Sequence, residues 1–184
     1  VTPIEVTITR SDSRASLTQS VTISGTAKYK INSYNVPSGT IVVNGTSYTI
    51  SSGSWSGSVS QSSVGSYVYK VDSFTDNKGC STPYYDPNPS TNIIWDALNV
   101  TYTVSYPSEG IFNFTIYMTH VYDGTGTTNG TVKVQPPSGS PVTLTTNNTG
   151  YVKYVLSESN ATVGSYIFYG ADDNQYNITY PLYN

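Results

Sequence analysis

Val-Gly-Ser-Tyr-Val-Tyr at residues 64–69 returns as Val-Gly-Ser-Tyr-Ile-Phe-Tyr at residues 163–169, and this duplicated stretch decides the fold. Two further anchors precede each copy in the same order. They are a Gly-Thr-Ile or Gly-Thr-Val stretch at residues 39–44 and 130–135, and a glycine turn at residues 53–55 and 150–152. An internal repeat of this kind predicts two related modules.

Alternation of apolar and polar residues marks the strands around these anchors. Ile4, Val6 and Ile8 share one side of the first ten residues, and a glutamate and threonines fill the other. Apolar residues two positions apart are typical of a β-strand with one buried face. Asn44-Gly45 between two apolar runs favours a two-residue hairpin turn of type I′. Short strands at roughly ten-residue spacing, with no stretch that favours a long helix, predict an all-β protein of β-sandwiches.

Composition divides the chain into four segments. Residues 1–16 hold the first strand and a polar tether, residues 17–80 the first module, and residues 99–184 the second module. Between the modules, residues 81–98 contain Pro83, Pro87 and Pro89, which favour an extended connector. An ordinary first strand that folds onto its own module is the alternative interpretation of residues 1–10.

Charge and cysteine content exclude several classes of protein. Charged residues make up 10% of the chain and the net charge is −3, so no basic surface predicts nucleic-acid binding. No run is long and apolar enough for a membrane span. Cys80 is the single cysteine, so no intrachain disulfide is available. The chain begins with Val1 and shows no leader pattern, which favours a mature chain whose signal peptide has been removed.

Asn-X-Ser/Thr sequons are frequent in this weakly charged chain. Such sequons are acceptors for N-linked glycans when they are exposed. Glycan cover suits a tyrosine-rich β-surface that has few charges to keep it soluble, and it would also suit acidic surroundings, where carboxylates lose their charge. The predicted glycosylation sites are Asn44, Asn99, Asn113, Asn129, Asn147, Asn160 and Asn177.

Catalytic and metal-binding motifs are weak. His120 is the only histidine and lies in register with Phe114 and Met118, which favours a packed side chain over a general base. No nucleophile motif accompanies it, and zinc needs more histidine or cysteine ligands than this sequence has. We therefore predict no enzyme, no catalytic residue, no metal and no cofactor.

Acidic residues and lysines offer a few weaker candidates. Asp86, Asp123, Asp172 and Asp173 could supply paired carboxylates, but no sequence pattern shows the tuning that a glycosidase needs. Solvated turns are the preferred interpretation of Asp123 and of residues 172–174, because their spacing matches no complete calcium loop. Lys133 and Lys153, in strands of one module, would permit an isopeptide crosslink.

The order of the repeated anchors resembles that of immunoglobulin-like repeats in prokaryotic surface proteins, over residues 21–73 and 99–181. With its size, its sequons, its richness in Tyr, Thr and Ser and its apolar strand at residues 4–8, the whole chain resembles the subunits of archaeal threads. That resemblance implies two immunoglobulin-like β-sandwich modules with an N-terminal donor strand. It also implies a glycosylated extracellular filament, joined head to tail by donor-strand complementation.

On this resemblance the partner is a neighbouring copy of the same chain, forming a homopolymer. Ile4, Val6 and Ile8 would enter the groove of the neighbour, and residues 11–16 would span the gap. Such a contact is heterologous and does not close, so it propagates as a fibre.

We expect a structural filament subunit at the cell surface that supports adhesion, cell contact or biofilm formation. One alternative is a monomeric surface stalk or S-layer-associated adhesin, in which residues 1–10 pair within their own chain. The other is a secreted carbohydrate-binding or hydrolytic module, which predicts a cleft lined by aromatic or carboxylate side chains.

Overall fold

The computed structural model describes residues 3–79, 89–176 and 178. In this described part of the chain every regular element is a β-strand, which confirms the all-β prediction. The chain forms two compact units. The first contains Val1–Arg14 and Thr18–Trp95, and the second contains Ala15–Leu17 and Asp96–Asn184.

Fifteen strands are present in the described residues. They are β1 (Ile4–Val6), β2 (Thr9–Arg10), β3 (Arg14–Ser16), β4 (Val21–Tyr29), β5 (Ser38–Val43), β6 (Thr46–Ser51), β7 (Ser54–Val59), β8 (Gly65–Asp76), β9 (Ser90–Asp96), β10 (Leu98–Ser108), β11 (Ile111–His120), β12 (Thr131–Gln135), β13 (Val142–Thr145), β14 (Tyr151–Ser157) and β15 (Ile167–Asp172).

The first unit is organised by one hydrogen-bonded path of antiparallel strands. Its order is β1-β4-β7-β6-β5-β8-β9, and β2 also lies beside β4. Alternate side chains of these strands point to one buried face, as the two-residue period requires. The largest fully buried side chains of this unit are Ile4, Ile23, Ile41, Ile50, Phe74, Ile93 and Trp95.

The second unit contains two three-stranded antiparallel sheets, β10-β11-β14 and β13-β12-β15. Apolar side chains from both sheets form a buried cluster, as in a β-sandwich. The buried members of that cluster are Leu98, Ile116, Met118, Val132, Val134 and Ile178.

The sequence repeat corresponds to a repeated pair of strands. The Gly-Thr anchor contributes to β5 in the first unit and β12 in the second, and the Val-Gly-Ser-Tyr anchor leads into β8 and β15. In both units these two strands pair with each other. At the predicted hairpin turn, Asn44 has φ 45° and Gly45 has φ 77°. Both are positive, as a type I′ turn requires, so that prediction is confirmed.

The predicted connector of residues 81–98 is too long at its carboxyl end. Residues 90–96 form β9, which pairs with the first half of β8. The side chains of Thr91, Ile93 and Trp95 are buried, because the alternation that defines a strand resumes directly after Pro89. Trp95 packs edge-on against the rings of Tyr67 and Tyr69, so it belongs to the core of the first unit. Cys80, Pro83, Asp86 and Pro87 lie outside the described residues.

Candidate functional site at the N-terminal strand

Residues 4–10, which we call the N-terminal strand, lie antiparallel to β4 within the first unit. Ile4 pairs with Tyr29, Val6 with Ala27 and Thr9 with Ser24. Between β1 and β2 the ladder continues, because the Thr7 amide donates to the Thr26 carbonyl. In the described residues β4 is the single ladder partner of this strand, since β7 lies on the other side of β4. The N-terminal strand is therefore an edge strand.

Apolar side chains fix the register of the N-terminal strand. Ile4 is 0% exposed and Val6 is 7% exposed, whereas Ile8 is half-buried. Val6 shares its face with Ala27, because directly opposite residues of an antiparallel pair point to the same side. Glu5, between the two buried residues, is exposed opposite exposed Lys28. A slip by one residue would expose Ile4 and Val6 together and bury a charge.

Gly25 makes close approach of the strand possible. A Cβ at this position would overlap the carbonyl oxygen of Thr7. The same oxygen accepts a hydrogen bond of 3.3 Å from the indole Nε1 of Trp55, which pairs with Gly25 across β4 and β7. We call this part of the first unit, formed by β4 and Trp55, the groove.

Tyr48 supports the groove from behind Trp55. Its ring lies 5.7 Å from the indole of Trp55, and it fills the space that a side chain at Gly57 would need. Burial, and to a smaller extent the nearby Tyr69, raise the pKa of the Tyr48 hydroxyl above its ordinary value. The phenol is thus neutral and apolar towards the indole over the whole physiological range.

Polar contacts complete the binding of the strand. The Thr7 hydroxyl accepts from the Thr26 amide at 2.9 Å, and the Thr9 hydroxyl donates to the Ser24 carbonyl at 3.2 Å. Arg10 ends the strand by donating from Nη1 to the Thr91 hydroxyl at 2.9 Å. Apart from the hydrogen bond of Arg10, these hydrogen bonds join neutral hydroxyls and main-chain groups. Binding of the strand therefore depends little on pH or salt.

A short exposed segment follows the N-terminal strand. Ser11, Asp12 and Ser13 are exposed and lie outside any strand, and β3 begins at Arg14. The Ser13 carbonyl accepts from the Ile94 amide at 3.0 Å, so the chain is held again from that residue onward. The predicted tether of residues 11–16 is therefore shorter, because Arg14–Ser16 are part of a strand.

The structure places the predicted donor residues on their own unit. This is the arrangement that the sequence left open as an alternative for residues 1–10. In a single chain, the N-terminal strand is available to fill the groove beside β4. A strand that exchanges between copies would therefore occupy its own groove when no neighbouring copy is present.

The sequon asparagines differ in how free their amides are. Asn99 and Asn129 are exposed, and Asn113 is half-buried in β11. The Asn44 amide is engaged in its hairpin, because Nδ2 donates to the Val68 carbonyl at 2.8 Å and Oδ1 accepts from the Lys70 amide at 2.9 Å.

The remaining sequons lie in loops or outside the described residues. The exposed Asn147 accepts through Oδ1 from the amide and the hydroxyl of Thr149, its own sequon threonine. Asn160 is exposed and accepts from the Ser157 amide at 2.7 Å. Asn177 lies outside the described residues. Glycosylation at each of these sites stays a prediction.

The chemical candidates of the second unit are arranged differently from the expected solvated turns. His120 is buried, as expected, but it lies between the carboxylates of Asp96 and Asp173, which are each 0% exposed. The sequence analysis assigned Asp173 to a solvated turn and missed Asp96, a single acidic residue in an apolar run. In the described part of the chain, no three His, Cys, Asp or Glu side chains are arranged to hold a metal ion.

The other acidic residues accept hydrogen bonds within their own turns, and the two lysines lie in strands. Asp123 accepts from the amide and hydroxyl of Thr125, and Asp172 accepts from the Asn174 amide. Lys153 is exposed opposite Thr115. Lys133 has Thr143 and Tyr169 as its cross-strand neighbours, so no carboxylate lies directly opposite either lysine.

One apolar cavity of 340 Å³ lies in the second unit. Among the described residues, its lining contains aromatic side chains and no carboxylate. The lining residues are Phe112, Phe114, Leu156, Ala161, Thr162, Val163, Gly164 and Tyr166. Across the described residues, no helix is long and apolar enough to cross a membrane.

The fold defines the class of this protein: an all-β chain of two antiparallel units, the second of which is a β-sandwich of two three-stranded sheets. No protein-family model matches the sequence, and no curated protein matches it either.

Several solved structures are similar at low identity. The D0-D1 domain of intimin shares 16% identity over 95% of this chain and 94% of its own, with a TM-score of 0.36. Fibronectin(III)-like modules of CbhA from Clostridium thermocellum share 16% over 95% and 89%, with a TM-score of 0.39. Chitinase ChiA74 from Bacillus thuringiensis shares 13% over 91% and 29%, with a TM-score of 0.35.

Proposed function

We propose that this chain is the structural subunit of an extracellular, glycosylated filament, in which each copy donates its N-terminal strand to the groove of a neighbour. The observation that carries the proposal is the way the N-terminal strand is held. It is an edge strand with one ladder partner, it inserts the buried side chains of Ile4 and Val6, and an exposed segment of three residues follows it.

Exchange of this strand between copies conserves its contacts. The neighbour offers the same β4 edge, the same Gly25 and the same Trp55, so every ladder bond lost in one groove is regained in another. The exposed residues 11–13 would form the hinge. The Ser11 amide would exchange the Thr22 carbonyl of its own copy for that of the neighbour, while the Ser13 carbonyl would keep its bond from the Ile94 amide. Because donor and acceptor are different surfaces of the molecule, each added copy presents a new vacant partner, and the assembly grows as a filament.

Surface chemistry supports an extracellular setting. Charged residues are 10% of the chain, against about 25% in ordinary soluble proteins. Exposed sequons such as Asn99 and Asn129 would carry the solubilising glycans. Adhesion, cell contact and biofilm support are the roles of such a filament.

A second candidate is favoured by the intrachain pairing of Ile4 and Val6 with β4. In that case the first unit is complete in every copy, and the protein is a monomeric surface stalk or S-layer-associated adhesin. The two candidates differ in one measurable property, which is whether the N-terminal strand leaves its groove.

The test uses full-length protein and a variant that lacks residues 1–10. We expect filaments from the full chain by negative-stain microscopy. The truncated variant should give monomers by light scattering, and these monomers should bind an added peptide of residues 1–10. A matched peptide with Ile4→Asp and Val6→Asp should not bind, because both side chains are buried in the groove. A full chain that stays monomeric at every concentration, with a truncated variant that unfolds, would establish the stalk instead.

A further inference from the structure

A buried charged cluster in the second unit takes no part in strand exchange. Asp96 is the last residue of β9, His120 is the last residue of β11, and Asp173 follows β15 directly. Their exposed fractions are 0%, 3% and 0%. Charged side chains are rarely buried unless they are paired, so this cluster needs an explanation.

The imidazole of His120 faces a carboxylate on each side. Its Nδ1 lies 3.4 Å from Oδ2 of Asp96, and its Nε2 lies 3.8 Å from Oδ2 of Asp173. These are ion-pair distances, longer than hydrogen bonds. The ring edge of Tyr176 completes the surroundings, with its centroid 6.0 Å from that of the imidazole. Asp96, Asp173 and Tyr176 are the titratable groups that face His120 in the described residues.

Both carboxylates accept hydrogen bonds from main-chain donors. Oδ1 of Asp96 accepts from the amides of Ala97 at 2.8 Å and Tyr122 at 2.9 Å. Oδ1 of Asp173 accepts from three amides of the turn that follows it, those of Gln175, Tyr176 and Ile178, at 3.3, 2.9 and 3.1 Å. Amide donors stabilise the charged carboxylate over the neutral acid.

Two carboxylates on opposite sides of one imidazole determine its protonation. A neutral imidazole has a proton on one nitrogen and a lone pair on the other, so one carboxylate would face a lone pair in a buried site. The imidazolium donates from both nitrogens and reduces the net charge of the cluster from −2 to −1. We propose that His120 is held as the imidazolium and bridges Asp96 and Asp173, and that this bridge fastens the C-terminal turn of the second unit to its core.

The bridge joins three parts of the chain that are distant in sequence. Asp173 binds the amides of Gln175, Tyr176 and Ile178, and Ile178 is 0% exposed in the core of the second unit. The imidazole is supplied by His120 at the end of β11, and Asp96 at the end of β9 faces its other nitrogen. Loss of the bridging proton would therefore leave two buried carboxylates facing each other across a neutral ring, and the turn would be free to separate.

Nuclear magnetic resonance of the full-length, ¹⁵N-labelled chain tests the proposal directly. His120 is the only histidine in the sequence, so every imidazole ¹⁵N signal belongs to this residue. At pH 7 we expect both nitrogens to carry a proton, whereas free histidine, with a pKa of about 6.5, is mostly neutral at that pH. A ring with one unprotonated nitrogen at pH 7 would overturn the proposal.

Variants then test what the bridge does. His120→Phe keeps a ring but removes both donors, and we expect the second unit to melt about 10 °C lower. Adding Asp173→Asn should restore part of that loss, because it removes one uncompensated buried charge. If His120 acted by packing alone, the double variant would be at least as unstable as the sum of the single ones. The exposed Asp123→Asn serves as the control and should melt like the wild type.

Discussion

Gly25 is the residue on which docking of the N-terminal strand depends. Gly25→Val would place a branched side chain against the Thr7 carbonyl and the Trp55 indole. We expect the strand to lose its place in the groove, at a cost of about 1–3 kcal/mol in the stability of the first unit. Urea unfolding measures that loss, and microscopy measures the loss of filaments.

Ser56→Val is the matched control for this substitution. Ser56 is an exposed residue of β7 that directly follows the groove-lining Trp55, so its side chain points to the opposite face of the strand. β-Branched residues suit such positions. Filaments should form normally with this variant. Filaments of normal length from Gly25→Val would show that the groove beside β4 is not where neighbouring copies join.

At the residue scale, sequence patterns located buried side chains better than buried charges. Burial of Ile4 and Val6 follows from a two-residue period, and burial of His120 follows from its register with Met118. The partners of His120 were not predictable. Asp96 and Asp173 lie 77 positions apart in sequence and meet at the histidine only through the folding of the second unit.

At the scale of the strand, a reversible lock distinguishes exchange from permanent docking. Glu5 and Lys28 are directly opposite on β1 and β4, and both are exposed. Cysteines at such a pair are close enough for a disulfide. We expect Glu5→Cys with Lys28→Cys, in a Cys80→Ser background, to stay monomeric when oxidised as a dilute monomer, and to form filaments after reduction.

Light scattering before and after reduction measures whether the double variant is monomeric or assembled. Glu5→Cys alone, in the same background, controls for the loss of the charge and should assemble under both conditions. Equal assembly of the oxidised and reduced double variant would mean that strand exchange is not the joining step.

Strand boundaries were predictable where apolar and polar residues alternate clearly. Their prediction failed where prolines interrupt that alternation. Three prolines at residues 83–89 favoured a connector, yet alternation resumes at once in β9. The N-terminal strand shows the opposite case. Its existence follows from its period, but its position does not, because an edge of a sheet accepts a strand from the same chain or from another with the same hydrogen bonds.

For the whole molecule, the repeat predicted two related sandwich units, and the matching pairs β5–β8 and β12–β15 follow from it. The sequence repeat does not predict how copies assemble. Assembly depends on whether the strand that fills a groove comes from the same copy or from a neighbour. Geometry restricts the possibilities. A symmetric exchange closes as a dimer, whereas a head-to-tail exchange leaves one donor and one acceptor open at the two filament ends.

These open ends lead to a prediction about filament length. A chain without residues 1–10 can accept a strand but donates none, so it should terminate growth at one end. One truncated chain per ten full chains should reduce the mean length to roughly ten copies, measured by microscopy. Full-length Gly25→Val, which donates but cannot accept, should terminate the opposite end. A chain with both changes can do neither and should leave the length unchanged. Closed dimers would respond differently, because a terminator has no growing end to block.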